Sequence, residues 1–425
     1  MGTLWKIALR NTIRHGRRTI ITAVVMMAGI AVYIFFNSML AGLDRMAIDN
    51  MTDYTLSSMK IRTPAYVDDL EASPLDKGLV HPQQVLAAAA AQGLAAAPRL
   101  RFVARLSNYT DEIPVLADAV DPRADAGVFK LAAAVTAGSW LSAAPEAHSA
   151  GSTHSVVMGA ELARELAVKP GDAILVSSQT INDTTNADEY TVAGLVSTPT
   201  PEVNLGGLFM SLDDARELLG APGGPDGLVT EVNVALPRAP SLAAALAEGD
   251  AAAARLRAAL PGERVDPISQ LAAGYLAVRN YKSRMSFILV LIVLVISAVG
   301  IVNTILMSVF SRVREIGVLR AYGMTPRDIL RLFTLEGFAL GVVGSLLGVG
   351  LGVLANFFFI VHGMDLSAYA QSFGSIPVGG ILRGEWDLKT IAAGFLFGII
   401  VSVAAAWIPA RRAARLEPTS ALRFQ

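Results

Sequence analysis

The chain has 425 residues, of which 53% are hydrophobic and only 17% are charged, and its net charge at pH 7 is −1. These values favour an integral membrane protein that also carries a sizeable soluble part. The sequence contains no cysteine, which excludes a disulfide-stapled scaffold, thiol chemistry and thiolate metal sites.

Four long uncharged stretches are the predicted membrane spans. A helix needs about 20 apolar residues to cross a bilayer, and each stretch is long enough. The predicted spans are residues 19–43, 285–311, 337–362 and 390–410. The first stretch exceeds a typical signal-peptide core, so we expect it to be an uncleaved anchor.

Three segments outside these spans are rich in Lys and Arg. Residues 1–18, 312–336 and 411–425 together hold 14 basic and four acidic residues, whereas residues 44–284 hold 19 basic and 29 acidic ones. Because basic loops stay in the cytoplasm, the three basic segments and both termini are predicted to be cytoplasmic. Residues 44–284 and the loop 363–389 are then external.

Residues 1–18 are predicted to contain a cytoplasmic amphipathic helix. Trp5 and Leu9 fall on one face of this helix, and Lys6 and Arg10 lie off it. The pattern suits the membrane surface, and it suits equally a helix that packs on the rest of the protein.

The external segment is large enough to fold around its own core, and its pattern predicts a mixed α/β domain. Alanine favours helix, so the Ala-rich stretch 86–97 is expected to be helical. The strand candidates are residues 155–158, 173–178, 189–196, 207–210 and 229–236, and the further helix candidates are 160–166, 211–219 and 241–260.

Two helical patterns extend beyond the first two spans on the external side. Residues 44–58 continue the pattern of the first span, and residues 269–312 form one continuous pattern that begins before the second span. This surplus of helix predicts a two-helix stalk that carries the external domain.

The third span carries glycines at small-xxx-small spacing, which lets membrane helices approach closely. These glycines are Gly341, Gly344, Gly348 and Gly352. Their packing partner is either another helix of this chain or a second copy of it. Asn303, in the middle of the second span, is predicted to hydrogen-bond between helices, with a role in a substrate pathway as the alternative.

Residues 312–336, between the second and third spans, are predicted to form two short helices joined by a tight bend. Gly323 suits the helix-ending position that needs a positive φ. Thr325 is a good N-cap, and Pro326 suits the first helical position. A bent basic helix pair offers a surface to another protein, although its position alone favours an ordinary basic loop.

The motifs of this segment and of the tail resemble those of a known family. Arg314-Glu-Ile-Gly-Val-Leu-Arg-Ala-Tyr-Gly-Met-Thr-Pro-Arg-Asp-Ile-Leu330, followed by Leu335-Glu-Gly337, closely resembles the permeases of the MacB/FtsX-like family. Residues 409–423 are similar to that family's usual ending, and residues 8–14 to its usual beginning. Residues 159–163, 168–172 and 190–195 of the external domain also fit.

The resemblance implies a permease subunit of a mechanotransmission-type ABC transporter, of the LolC/LolE or MacB type. The implied fold is an α-helical membrane domain of four transmembrane helices plus a mixed α/β periplasmic domain on a helical stalk, in the bacterial inner membrane. In that family a cytoplasmic ATPase dimer works on two permeases, and movement passes to the external domains. No Gly-x-x-x-x-Gly-Lys-Ser/Thr loop occurs in the sequence, so ATP and Mg are expected on the partner ATPase.

The bend and the resemblance together indicate which residues contact the ATPase. We expect no catalytic, cofactor-binding or metal-binding residue on this chain. The expected coupling residues are Arg314, Glu315, Ile316, Leu319, Arg320, Gly323, Met324, Thr325, Pro326 and Arg327.

The other expected partners are a second permease (the same chain or a paralogue), membrane lipids, a lipoprotein or other amphiphilic substrate, and a periplasmic partner. Nucleic acid is not expected, because the basic residues follow the membrane topology. The alternative function is an FtsX-like regulator that passes ATPase motion to a periplasmic enzyme. An ion-coupled carrier is disfavoured, since the spans contain no charge.

Overall fold

The structure is a computed structural model that describes residues 16–69, 74–142, 154–366 and 379–415. Most of the predicted helix in residues 1–18 therefore lies outside the described residues, as do residues 416–425 of the tail. The chain divides into two compact units. The helical unit comprises Met1–Leu43, Val278–Met364 and Arg383–Gln425, and the sheet unit comprises Asp44–Ala277 and Asp365–Leu382.

Helices and strands are numbered in chain order. The α-helices are α1 (Gly16–Met51), α2 (Pro64–Asp68), α3 (Pro82–Ala91), α4 (Pro122–Asp125), α5 (Ala160–Glu165), α6 (Pro201–Gly206), α7 (Leu212–Leu219), α8 (Leu242–Ala259), α9 (Ile268–Leu271), α10 (Ala273–Ser311), α11 (Val313–Ala321), α12 (Pro326–His362) and α13 (Leu388–Ala414). The strands are β1 (Met59–Arg62), β2 (Ala95–Ser107), β3 (Glu112–Val120), β4 (Val135–Gly138), β5 (His154–Gly159), β6 (Ala173–Gln179), β7 (Thr185–Val196), β8 (Gly207–Ser211), β9 (Glu231–Ala235), β10 (Arg264–Pro267), β11 (Met364–Asp365) and β12 (Ile381–Leu382).

Three to four helices of the described chain are candidate membrane spans. Ile20–Leu56, Pro326–His362 and Leu388–Ala414 are each long and apolar enough to cross a membrane. A fourth crossing is counted when Val295–Ser311 and Val313–Ala321, which differ in direction by 63°, are taken as one bent span. The first three contain the predicted spans 19–43, 337–362 and 390–410 almost entirely, and the predicted span 285–311 lies within α10.

The glycine row of α12 packs first against α13. Gly337 and Gly341 face Ala406 and Ser402, and a Cβ added at Gly341 would lie 2.8 Å from the Cβ of Ser402. That separation is too short for two carbon atoms, so glycine is what permits the two helices to approach this closely.

Farther along α12 the same row packs against α1. Gly344, Gly348 and Gly352 face α1, and a Cβ added at Gly348 would lie 2.8 Å from the Cβ of Ile30 and 3.0 Å from the carbonyl oxygen of Met27. The four glycines predicted to pack, from Gly341 to Gly352, therefore have partner helices within this chain.

Asn303 lies on an exposed side of α10 rather than between helices of this chain. Val299 and Met307, one turn away on either side, are exposed as well. The expected interhelical hydrogen bond of Asn303 is thus not made within the helical unit as described, and the alternative role in a substrate pathway stays a prediction.

The described part of the sheet unit is built on a ten-stranded mixed sheet, which agrees with the predicted α/β class. The strand order is β10-β1-β9-β2-β3-β8-β5-β7-β4, and β6 pairs with β2 and β7. The five predicted strands correspond to β5 through β9, and the helices predicted at 160–166, 211–219 and 241–260 correspond to α5, α7 and α8.

The first half of the sheet was not anticipated from the sequence. The Ala-rich stretch 86–97 is helical only as far as Ala91, and residues 95–97 open β2, where they pair with β9. Strand pairing therefore overrides the helix propensity of alanine here. Strands β1, β3, β4 and β10 also lie where no strand was predicted.

The two predicted stalk helices contact each other within the sheet unit. The hydroxyl of Tyr275 lies 2.9 Å from Oδ1 of Asp44 and donates a hydrogen bond to it. Ile48 packs with Ile268 and Ala272 in one apolar cluster. The predicted helix over 269–312 is nevertheless interrupted at Ala272, between α9 and α10, and α1 ends in a π-helical turn, Thr52–Leu56.

The glycine row generates a test of the helical unit with an internal control. Gly348→Ala should lower the stability of the protein by about 1–3 kcal/mol, since the added methyl group overpacks the contact with α1. Gly350→Ala should be neutral or stabilising by up to about 1 kcal/mol, because no atom lies within 4 Å of a Cβ at Gly350. Thermal unfolding of both variants in a neutral detergent measures the difference. Equal stability of the two would contradict the packing described.

Candidate coupling segment

Residues 312–336, named here the coupling segment, begin where α10 breaks. Arg312 has φ −125° and ψ 17° and stands outside both helices, and α11 leaves it at 63° to the end of α10. No proline or glycine lies at this break, and Arg312 makes the side-chain contacts described next.

A buried ion pair holds the bend. The Nη1 atom of Arg312 donates to Oε1 of Glu336 at 2.8 Å, and its Nε atom donates to Oε2 of Glu315 at 3.0 Å. Arg312 and Glu336 are buried, whereas the carboxylate of Glu315 is more than half exposed. Ser308 supplies a further hydroxyl 3.4 Å from Glu336. Arg312 thus ties the end of α10 to the body of α12.

The turn between α11 and α12 follows the predicted local rules. Gly323 has φ +99°, the left-handed conformation expected of it. The N–H of Gly323 donates to the carbonyl of Arg320 at 3.1 Å, and that of Met324 donates to the carbonyl of Leu319 at 3.1 Å. These bonds satisfy the last carbonyls of α11.

The start of α12 is fixed by a capping box. The N–H of Asp328 donates to the hydroxyl oxygen of Thr325 at 3.3 Å, and the N–H of Thr325 donates to Oδ2 of Asp328 at 3.0 Å. The hydrogen bonds from Thr325 lower the pKa of Asp328 below its usual value, so the charged cap persists at neutral pH. Pro326 occupies the first turn, as predicted.

The coupling segment differs from the prediction in the length of its second helix. Only α11 is short, with nine residues, whereas the helix after the bend is α12, which runs for 37 residues. The capped start of α12 and its apolar body therefore belong to one continuous helix.

The inner face of the segment packs on α13. Ile316, Ile329 and Phe333 are buried in one cluster with Ala410 and Ala413. The guanidinium of Arg320 also donates to the carbonyl of Ala414 at 3.2 Å, at the end of α13, where a cation is favourable. Ile316, which we expected among the ATPase contacts, is therefore a core residue, because the periodicity of α11 turns it inward.

The outer face of the segment carries most of the other predicted coupling residues. Leu319, Arg320 and Met324 are half-buried. The exposed ones are Arg314, Glu315, Gly323, Thr325, Pro326 and Arg327.

Two further exposed residues of this face are not among the expected coupling residues. Tyr322 is 87% exposed and Val318 is 41% exposed. Arg314, Val318 and Tyr322 follow one another at four-residue spacing, which places them on one side of a helix, and this spacing could have identified them. The outer face is therefore mixed, with cations beside an aromatic ring and an aliphatic side chain.

Comparison with known proteins identifies the family. The family model of the FtsX-like permease C-terminal region matches residues 287–418, and that of the MacB-like periplasmic core domain matches residues 19–270. The chain belongs to the MacB/FtsX-like family of ABC transporter permeases. Both matches together include every residue of the coupling segment and nearly all of the sheet unit.

Several relatives are similar to this permease over different lengths. The lipoprotein-releasing system transmembrane protein LolC of Neisseria meningitidis is 25% identical over 354 residues, which cover 78% of each chain. The pyoverdine export ATP-binding/permease protein PvdT of Pseudomonas fluorescens is 37% identical over 144 residues, which cover 34% of this chain and 19% of PvdT. The macrolide export protein MacB of Shigella flexneri is 36% identical over 129 residues, 30% of this chain and 17% of MacB.

Among solved structures, the extracellular domain of the ABC-type transporter YknZ is similar to part of the permease. It is 12% identical, the match covers 49% of this chain and 98% of that domain, and the TM-score is 0.32.

The two carboxylates that share Arg312 provide a matched pair of variants. Glu336→Gln should destabilise the permease by about 3–5 kcal/mol, because it leaves a buried guanidinium without its main counter-ion. Glu315→Gln removes the exposed partner of the same arginine and should cost less than about 1 kcal/mol. Thermal unfolding of the purified variants in a neutral detergent compares them. A loss at Glu336 no larger than at Glu315 would show that the bend does not depend on this ion pair.

Proposed function

We propose that this ABC transporter permease is a mechanotransmission subunit whose coupling segment binds a cytoplasmic ATPase dimer. One observation carries the proposal: α11 and the turn after it present an exposed mixed face on a base that is capped, buried and ion-paired. A partner can press on such a face without deforming it, because Arg312 links α11 to α12 and Arg320 links it to α13.

The path of the motion follows the long helices. Each of α1 and α10 contains residues of both units. The hydrogen bond between Asp44 and Tyr275 joins the part of α1 that follows the predicted span 19–43 to the start of α10. A displacement of the coupling segment is passed along α10 and changes the contacts within the sheet unit. This route needs no channel through the membrane.

The proposed topology has four spans, with both termini and the coupling segment in the cytoplasm and the sheet unit in the periplasm of a bacterial inner membrane. The basic residues of the three cytoplasmic segments support it. The description of the matched family model as a periplasmic core domain supports the placement of the sheet unit. The bent pair at Arg312 then serves as the cytoplasmic end of the second span.

ATP and Mg are proposed to bind on the partner ATPase, since these 425 residues contain no phosphate-binding loop. The permease works with a second permease, either the same chain or a paralogue, among membrane lipids. Its cargo is proposed to be a lipoprotein or another amphiphile. The long match to LolC, whose name gives it a role in lipoprotein release, supports this class over the regulator of a periplasmic enzyme.

Exposed residues of the coupling segment should control ATPase binding without affecting folding. Tyr322→Ala and Glu315→Lys should each reduce co-purification of the ATPase and the ATPase activity of the complex, because they alter the mixed face that the partner contacts. Gly323→Val should do the same by straining the turn, since a β-branched residue resists a φ of +99°. Membrane insertion should be unchanged in all three variants.

Tyr281→Ala is the matched control, because Tyr281 is another exposed tyrosine of the helical unit, on α10. It should leave ATPase association at the level of the unmodified chain. Normal association with both Tyr322→Ala and Glu315→Lys would rule out the coupling segment as the docking surface.

A further inference from the structure

One face of the sheet unit combines a cavity with an unusual concentration of charge. The cavity has a volume of about 460 Å³ and lies over β1, β9, β2 and β10. Its charged lining consists of the cations Lys60, Arg62, Arg101 and Arg264 and the carboxylates Glu231 and Asp266.

Strand register brings these charges onto one side of the sheet. Lys60 lies opposite Asp266 on one neighbouring strand and opposite Asn233 on the other, and Arg62 lies opposite Arg264. Because side chains alternate between faces, the intervening residue Ile61 points to the opposite, apolar face. The charged side is therefore produced by the register of neighbouring strands and not by the conformation of loops.

The cations of the cavity hold more hydrogen-bond donors than the carboxylates beside them can use. Asp266 accepts from Nη2 of Arg62 at 2.7 Å and from Nε of Arg264 at 2.9 Å. Glu231 accepts from Lys60 at 2.7 Å and from Asn233 at 3.0 Å. Nε and Nη2 of Arg101 donate to the two carboxylate oxygens of Asp118, at 2.8 and 2.9 Å.

One donor in the cavity lining has no partner among the described residues. Arg62 is only 6% exposed, and its Nε atom is buried and makes no hydrogen bond. A buried unsatisfied donor is costly, and an acceptor supplied by a ligand would satisfy it. The ammonium of Lys60, which has three N–H donors, has Glu231 as its one acceptor in the described chain.

The protonation states of Lys60 and Glu231 keep both side chains charged at neutral pH, so the cations in the cavity lining outnumber the carboxylates. Burial lowers the pKa of Lys60 to about 8, against the opposing attraction of Glu231. Burial alone would raise the pKa of Glu231, but the charges of Lys60 and Arg101 outweigh it and hold that pKa well below its usual range. An anion bound here would stabilise the protonated form of Lys60.

The remaining lining of the cavity is apolar except for Gln270. Its apolar part is formed by Leu56, Val67, Leu116 and Leu271. Leu116 is 40% exposed, so an apolar group can still be buried against it. A volume of about 460 Å³ falls in the range of small-molecule sites, roughly 300–1,000 Å³, and exceeds what a bare inorganic anion fills.

We propose that this cavity binds the anionic head of an amphiphile, a phosphate or carboxylate group with an attached alkyl chain. The head accepts hydrogen bonds from Arg62 and Lys60, and the chain lies along Leu116 and Leu271. The proposal deepens the cargo class of the proposed function by naming a site for it. Binding is measured on the permease alone, with no ATPase present, so failure of this site is distinguishable from failure of the transporter assignment.

Calorimetric titration of the full-length permease in phosphatidylcholine nanodiscs tests the proposal, with empty nanodiscs correcting for partition into lipid. The probes are hexyl phosphate, inorganic phosphate and hexyltrimethylammonium. Hexyl phosphate should bind at least about tenfold more tightly than inorganic phosphate, because burying methylene groups is favourable, and hexyltrimethylammonium should not bind. Equal affinity for the two phosphates would overturn the amphiphile, and binding of the cation would overturn the anionic site.

Two neighbouring residues offer a matched pair of charge variants. Leu116 and Val103 lie opposite each other on β3 and β2, and both are exposed, but only Leu116 lines this cavity. Leu116→Glu should weaken hexyl phosphate binding at least about tenfold by placing a like charge beside the bound anion, whereas Val103→Glu should bind nearly as the unmodified permease does. Equal affinities of these two variants would overturn the site.

Arg62→Lys keeps the charge of the arginine and removes its free Nε donor, and Arg264→Gln removes a charge at a half-exposed position where folding tolerates it. Both should weaken hexyl phosphate binding. Arg264→Gln should not change the thermal unfolding temperature by more than the exposed variant Arg105→Gln does, whereas Arg62→Lys should lower it, because it disturbs the buried pair of Arg62 with Asp266. Unchanged binding in Arg62→Lys and Arg264→Gln together would contradict the proposed head-group contacts.

Discussion

The buried ion pair of Arg312 and Glu336 is the constraint on which the functional architecture rests. Two charges that are nearly excluded from water at the end of a long apolar helix are tolerable only when they are paired and hydrogen-bonded. Their contact at 2.8 Å ties the end of α10 to the body of α12. The outer face, from Arg314 to Arg327, is positioned by that contact together with the burial of Ile316 and the hydrogen bond from Arg320 to Ala414.

The helical unit gives the ion pair a firm base. Glu336 is followed directly by Gly337, the first glycine of the row that lets α12 approach α13 and then α1. At each of those contacts the helices approach too closely for a residue larger than glycine, so α12 is held on two sides. The coupling segment is attached to α12 and is therefore positioned by it. A force applied to the coupling segment therefore acts on a packed group of helices rather than on a free loop.

Local rules allowed the turn to be predicted, because its information is contained in a few successive residues. The positive φ of Gly323, the cap at Thr325 and the position of Pro326 each follow from the chemistry of one residue and its neighbours. The class of the sheet unit and strands β5 to β9 were likewise predictable, since their apolar alternation is interrupted by recognisable turns. The glycine spacing of α12 also predicted close helix packing correctly, but not which helices it would meet.

Other features depend on contacts that are distant in sequence. The pairing of Arg312 with Glu336 joins two helices, and nothing in the spacing of these residues shows it. Strand β2 begins with alanines, which by themselves favour helix. Strand β1 carries Lys60 and Arg62 on a face that is nevertheless buried. Neither strand therefore has the usual sequence pattern of a strand. Ile316 was predicted to contact the ATPase, but it is buried against α13, a contact between residues far apart in the sequence.

The most direct test of the account is whether nucleotide binding on the ATPase changes the contact between the two stalk helices. The chain lacks cysteine, so Asn50→Cys and Ala277→Cys supply the only spin-label sites of the sheet unit, near the hydrogen bond of Asp44 with Tyr275. Electron-spin distance measurement on the complex with the ATPase should give different distance distributions in the nucleotide-free and ATP-trapped states. Identical distributions in an active complex would contradict the transmission of motion along α1 and α10.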